Sequence, residues 1–129
     1  METIYKKIET LFRASAKKHN LLLKKEVLNS KAKIPKTQLH IYGREEVKID
    51  KRPKQKTSVV GLMIHKDYVG FYSMGVYAFP QEFNLSPTFQ KMLKGKSCFY
   101  LREINPTIEK EISKIIEKNI KLFKKQQWI

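Results

Sequence analysis

Nine residues in the middle of the chain, Thr57 to His65 (TSVVGLMIH), constrain the fold more than any other segment. A nearly continuous apolar run of this length, rich in β-branched residues, suits a strand buried on both faces in the middle of a sheet. Such a strand needs neighbours on both sides, and the flanking sequence offers them. Lys66-Asp67 is a two-residue turn into Tyr68-Val69-Gly70-Phe71-Tyr72-Ser73, which predicts a hairpin. Upstream, Thr37, Leu39 and Ile41 alternate with Gln38, His40 and Tyr42, the period of two that marks a strand, and Gly43 ends it. Val47 and Ile49 suggest a further short strand, and Ser97 to Leu101 (SCFYL) another. Pro35 and Pro53 break the chain on either side of the upstream pair, and Lys51 to Lys56 reads as an exposed basic loop.

Helical periodicity brackets this β-rich centre. Ile4, Ile8, Leu11 and Phe12 form one apolar stripe near the N-terminus, and Ile108, Ile112, Ile115, Ile116, Ile120 and Phe123 form another near the C-terminus. Asn105-Pro106 and Ser86-Pro87 both pair a capping side chain with a proline at the first helical position. The first starts the C-terminal helix, and the second starts a short one over Thr88 to Leu93 that stops at Gly95. Leu21-Leu22-Leu23 and Val27-Leu28 form a short apolar segment, helix or loop, and Gly75 to Pro80 reads as a loop or irregular edge strand. The order of elements predicts one α+β domain over residues 1–129, an antiparallel sheet of about five strands packed against N- and C-terminal helices.

Charge narrows the function. The chain carries a net charge of +15, with 27 Lys and Arg residues against 12 Asp and Glu. A field of that sign attracts polyanions and anionic ligands. Most of the cations are lysines, flexible point charges, whereas arginine is the planar fork that reads base edges. The chain is therefore suited to meeting anionic surface without reading sequence. A single cysteine, Cys98, excludes an internal disulfide framework. No stretch approaches the apolar length of a membrane span and no signal peptide is visible, so a soluble cytoplasmic protein without membrane contact is expected.

Two segments resemble a known family. His65-Lys66-Asp67-Tyr68-Val69-Gly70-Phe71-Tyr72 is similar to the hairpin motif H-K-x-H/Y-V-x-F-Y of the YdhG-like domain-of-unknown-function family. Leu93-Lys94-Gly95-Lys96-Ser97-Cys98-Phe99, followed by a helix ending Lys124-Lys125-Gln126-Gln127-Trp128-Ile129, resembles that family's L-K-G-K-S-C-F turn and its K-K-x-G-W-I/V terminus. The likeness spans residues 39–129. Tyr42-Gly43-Arg44-Glu45 stands where many members have Y-G-M-P, and Gln127 where they have glycine. The resemblance implies a small α+β fold related to frataxin, with one branch serving as an intracellular iron chaperone for iron–sulfur assembly.

The residues themselves argue against iron. Hard iron favours carboxylate ligands, and the nearest acidic group, Glu45-Glu46 with Asp50, sits in the most basic segment of the chain. Glu109 and Glu111 fall in the first turn of the last helix, where they favour its dipole. His19, His40 and His65 lie in different elements without ligand spacing. Cys98, inside a strand, reads as a buried structural thiol. No nucleophile elbow, phosphate loop or dinucleotide fingerprint is present, so a non-enzymatic protein with no catalytic residue, metal site or cofactor is expected. The candidate ligand-binding residues are Tyr42, His65, Tyr68, Tyr72, Lys94 and Lys96, which mix aromatic walls with cationic donors. The expected partner is a nucleic acid or other polyanion, an anionic small ligand, or another protein.

Overall fold

The computed structural model describes residues 1–28, 31 and 36–129, and Pro35 lies outside them. Helix α1 (Glu2–Lys18) precedes strands β1 (Leu22–Leu28), β2 (Lys36–Val47), β3 (Gln55–Ile64) and β4 (Val69–Ser73). Short helix α2 (Met74–Ala78), a 3-10 turn (Pro80–Glu82) and helix α3 (Pro87–Met92) follow. Strands β5 (Leu93–Lys94) and β6 (Cys98–Leu101) then lead into α4 (Pro106–Lys125). All strand pairs are antiparallel and the six strands run in the order β1-β2-β3-β4-β6-β5. The fold is α+β, and the apolar run at its centre is an interior strand, as its composition predicts.

The caps act as the sequence indicates. Asn105 accepts the Ile108 N–H at 2.9 Å, and Ser86 accepts the Phe89 N–H at 3.2 Å. Both long helices lay their apolar stripes on one face of the sheet, where Ile8, Phe12, Ile112 and Ile116 meet Leu39, Ile41, Leu62, Phe71 and Phe99. Burying each such side chain contributes about 1.5–3 kcal/mol, so this layer is the main source of stability.

Several expectations change. Val47 and Ile49 do not form a strand of their own: Val47 closes β2 and Ile49 follows it, and the basic loop ends at Lys54, because Lys56 already lies in β3 opposite Glu46. The segment after α1 is neither helix nor loop: it is edge strand β1, whose Lys25 points to the helix side and pairs with Glu9 of α1 at 3.3 Å. Gly43 does not end β2; the strand bends there, with register shifts between Ile41 and Glu46, and continues to Val47. Residues 74–78 form helix α2 instead of a loop or edge strand, because Asn119 of α4 accepts the Gly75 N–H at 2.6 Å and Ser73 caps the helix. Gly95 does not stop α3, which ends at Met92; its φ of 68° forms the tight turn joining β5 to β6. Strands β1 and β5 are added and the expected Val47/Ile49 strand merges into β2, so about five strands become six.

Candidate functional site

Alternation along the strands sends a second set of side chains to the face opposite the helices. Since Leu39 and Ile41 point into the core, Gln38, His40 and Tyr42 point away from it, and the register carries this rule across the sheet. Lys24, His40, Gly61, Tyr72, Cys98 and Lys94 are successive partners, so one transverse row crosses all six strands with a lysine at each end. At about 4.8 Å per strand the row is roughly 24 Å long. Among the described residues, no helix covers this face.

Two glycines, Gly61 in the row and Gly70 beside it, flatten the face. A Cβ on Gly61 would lie 2.7 Å from the His40 ring, and one on Gly70 3.1 Å from the Tyr72 ring, so both rings lie across bare backbone. The His40 ring is fixed at both nitrogens. Its Nε2–H donates to Gln38 Oε1 at 2.8 Å, which leaves Nδ1 to accept the Ser58 hydroxyl at 2.9 Å. Burial lowers the His40 pKa, against the opposing pull of Glu26, and so favours this neutral form. Tyr42 tilts against His40 with centroids 5.5 Å apart and donates its hydroxyl to Glu26 at 2.8 Å. Burial and then that hydrogen bond push the Tyr42 phenol up to about 12. Tyr72 is raised as well, by burial first and then by the neighbouring Cys98.

At one end of the face stands a column of rings. His65 stacks on Tyr68 with centroids 4.4 Å apart, and Tyr68 stacks on Tyr100 at 3.9 Å with an interplanar angle of 11°. The Arg102 guanidinium carbon lies 5.7 Å from the Tyr68 centroid and 6.0 Å from that of Tyr100. Near-equal distances place it beside the pair, so it does not occupy the outer face of Tyr100. A hydrogen bond with Tyr100, and then burial, raises the Tyr68 phenol to about 12.

The structure thus gathers Tyr42, Tyr72 and Lys94 on one face, with His65 and Tyr68 in the column at its end. Lys96 lies apart from the row, exposed in the β5–β6 turn. Sequence reasoning missed His40, Tyr100 and Arg102. His40 was legible, because it alternates with Leu39 and Ile41 in a recognised strand. Tyr100 was legible in the same way from Phe99 and Leu101.

The surface clefts among the described residues include three of which none is lined by His65 or Tyr72. The largest of these three, about 670 Å³, lies between residues 82–87 and α4 on the helix side. A second, about 340 Å³, adjoins the tyrosine column. Elsewhere the polar side chains have structural tasks. Glu111 accepts the Ser86 N–H at 2.9 Å and so ties α4 to the start of α3, beyond any effect on the dipole. His19 lies 2.9 Å from Glu117, which also accepts from Lys18 at 2.8 Å. Burial raises the Glu117 pKa, but these two partners outweigh it and hold the carboxyl below its ordinary value. Cys98 is buried, and burial pushes its thiol up, away from the thiolate that nucleophilic chemistry needs. Among the described residues, no group of three or more His, Cys, Asp and Glu side chains is placed to hold a metal ion, and no helix is long and apolar enough to cross a membrane. Comparison with family models, with curated proteins and with solved structures finds no match to this chain.

Proposed function

We propose that this chain is a non-enzymatic binding domain for anionic ligands, and that the ligand its geometry fits best is single-stranded nucleic acid taken without sequence preference. The observation that carries the reading is the helix-free sheet face, with aromatic rings along it and lysines at both ends of its transverse row. Unpaired bases stack on such rings whatever their identity, and lysines beside them neutralise the backbone. The excess of lysine over arginine supplies affinity for phosphate without bidentate base reading.

The kinship with the YdhG-like family belongs to the same proposal. Its support is that the two resembling motifs each fold as a hairpin, β3–β4 and β5–β6. Iron carriage is the weaker reading, because a net charge of +15 repels a cation.

Fluorescence anisotropy of a labelled oligothymidylate, titrated with the protein at several salt concentrations, tests the proposal. A dissociation constant of roughly 1–100 µM near physiological salt is expected, with log affinity falling linearly in log salt. Replacing Lys24 and Lys94 with glutamine should flatten that slope by roughly 0.7 for each phosphate no longer neutralised. No binding at low salt would remove the reading.

A further inference from the structure

The cleft of about 340 Å³ beside the tyrosine column brings together an aromatic wall and converging charge. Tyr100 forms the wall, Met92 adds apolar surface, and Lys91, Lys94 and Arg102 face a single carboxylate, Glu103. Three cations and one anion leave the cleft net positive. Its volume falls in the range of small-ligand sites, about 300–1,000 Å³. The ring geometry supplies the direction. Tyr68 covers one face of Tyr100 from the β4 side, Arg102 stands beside the pair, and the remaining face turns toward β5 and α3, whose residues line the cleft. A planar heterocycle entering here continues the existing stack by one ring. Lys94 also ends the transverse row, so the cleft is continuous with the open face.

We propose that this cleft is a nucleoside-phosphate site, in which a nucleobase stacks on the outer face of Tyr100 while Lys91, Lys94 and Arg102 hold the phosphate. The proposal rests on the reading of the open face as a nucleic-acid surface and narrows it to one defined position. The same chemistry is offered by a free nucleotide and by the phosphorylated end of a strand.

Calorimetric titration of the full chain with AMP and with adenosine tests the site. AMP should bind more tightly than adenosine, and its affinity should fall as salt rises. Tyr100→Leu should weaken AMP about 5- to 150-fold, the span expected for losing one stacked base. Because Tyr100→Leu also removes a ring from the column, a second variant is needed. Lys91→Gln with Lys94→Gln changes only exposed side chains and should abolish the advantage of AMP over adenosine. Equal binding of AMP and adenosine, or an unchanged AMP affinity in the double variant, would overturn the proposal. Oligothymidylate provides the separation from the broader reading. If it binds and AMP does not, the cleft site fails while the open face stands; if AMP binds and the oligomer does not, the reverse holds. A short strand with a 5′-phosphate that outbinds its 5′-hydroxyl counterpart assigns the site to strand ends, and equal binding assigns it to free nucleotide.

Discussion

Gly61→Ala should change sign with its background. An ideal Cβ at Gly61 lies 2.7 Å from His40 Cε1 and 2.9 Å from Nδ1, too close to be tolerated. The ring must move, and both hydrogen bonds that fix it, to Gln38 and Ser58, are then broken. At about 1 kcal/mol each they cost about 2 kcal/mol. Against this, replacing a strand glycine by alanine returns about 0.5–1 kcal/mol, so the net loss is about 1–1.5 kcal/mol. In a His40→Ala background nothing is left to displace, and the same substitution should stabilise by about 0.5–1 kcal/mol. The coupling between the two positions is therefore about 2 kcal/mol. At about 2.1 cal/mol/K per residue, this chain of 129 residues shifts in Tm by about 4 °C per kcal/mol. Thermal unfolding followed by circular dichroism should show a drop of about 4–6 °C for Gly61→Ala alone and a rise of about 2–4 °C when it is added to His40→Ala. An effect of the same sign in both backgrounds would refute the placement of the ring on bare backbone.

Two further outcomes follow from buried or hydrogen-bonded polar groups. Asn119→Leu should cost about 2–4 kcal/mol in urea or thermal unfolding, because it orphans the buried Gly75 N–H and strips Ser73 of a partner; a loss under about 1 kcal/mol would contradict it. Tyr5, Tyr42, Tyr68 and Tyr72 are all held above the ordinary phenol value, Tyr42 and Tyr68 at about 12. The unfolded chain therefore holds fewer protons than the folded one above about pH 10. The stability these phenols contribute should be complete below that pH and lost as it rises toward 12. Phenolate absorbance should show a late phase, and a single transition near 10 would count against it.

The two long helices, the interior strand and both proline-marked helix starts were legible, because each rests on local periodicity or a local cap. Strand β1 was not. Its sequence, LLKKEVL, carries lysine on the helix-facing side, and the period of two is hidden until Glu9 of α1 is known to neutralise Lys25. Helix α2 was hidden for the same kind of reason. Five residues with a glycine near the start have little propensity to form a helix, and the group that stabilises α2 comes from Asn119, far along the chain. The candidate residues Tyr42, Tyr72 and Lys94 could be chosen singly, but their alignment depends on four registers across five strands. No local pattern encodes those registers. Gly61 and Gly70 illustrate the limit, since each matters for a ring on another residue lying across it.

The tyrosine column also makes the molecule its own optical instrument. Two phenol rings 3.9 Å apart and nearly parallel are electronically coupled, and should give a paired signal of opposite signs in near-ultraviolet circular dichroism. Trp128, the sole tryptophan, sits elsewhere, against Phe79 and Phe123 on the helix side. Exciting tryptophan alone therefore reports on the terminal helix, while the tyrosine couplet reports on the open face. Occupancy of that face can be followed separately from unfolding, in unlabelled protein and in a single cuvette.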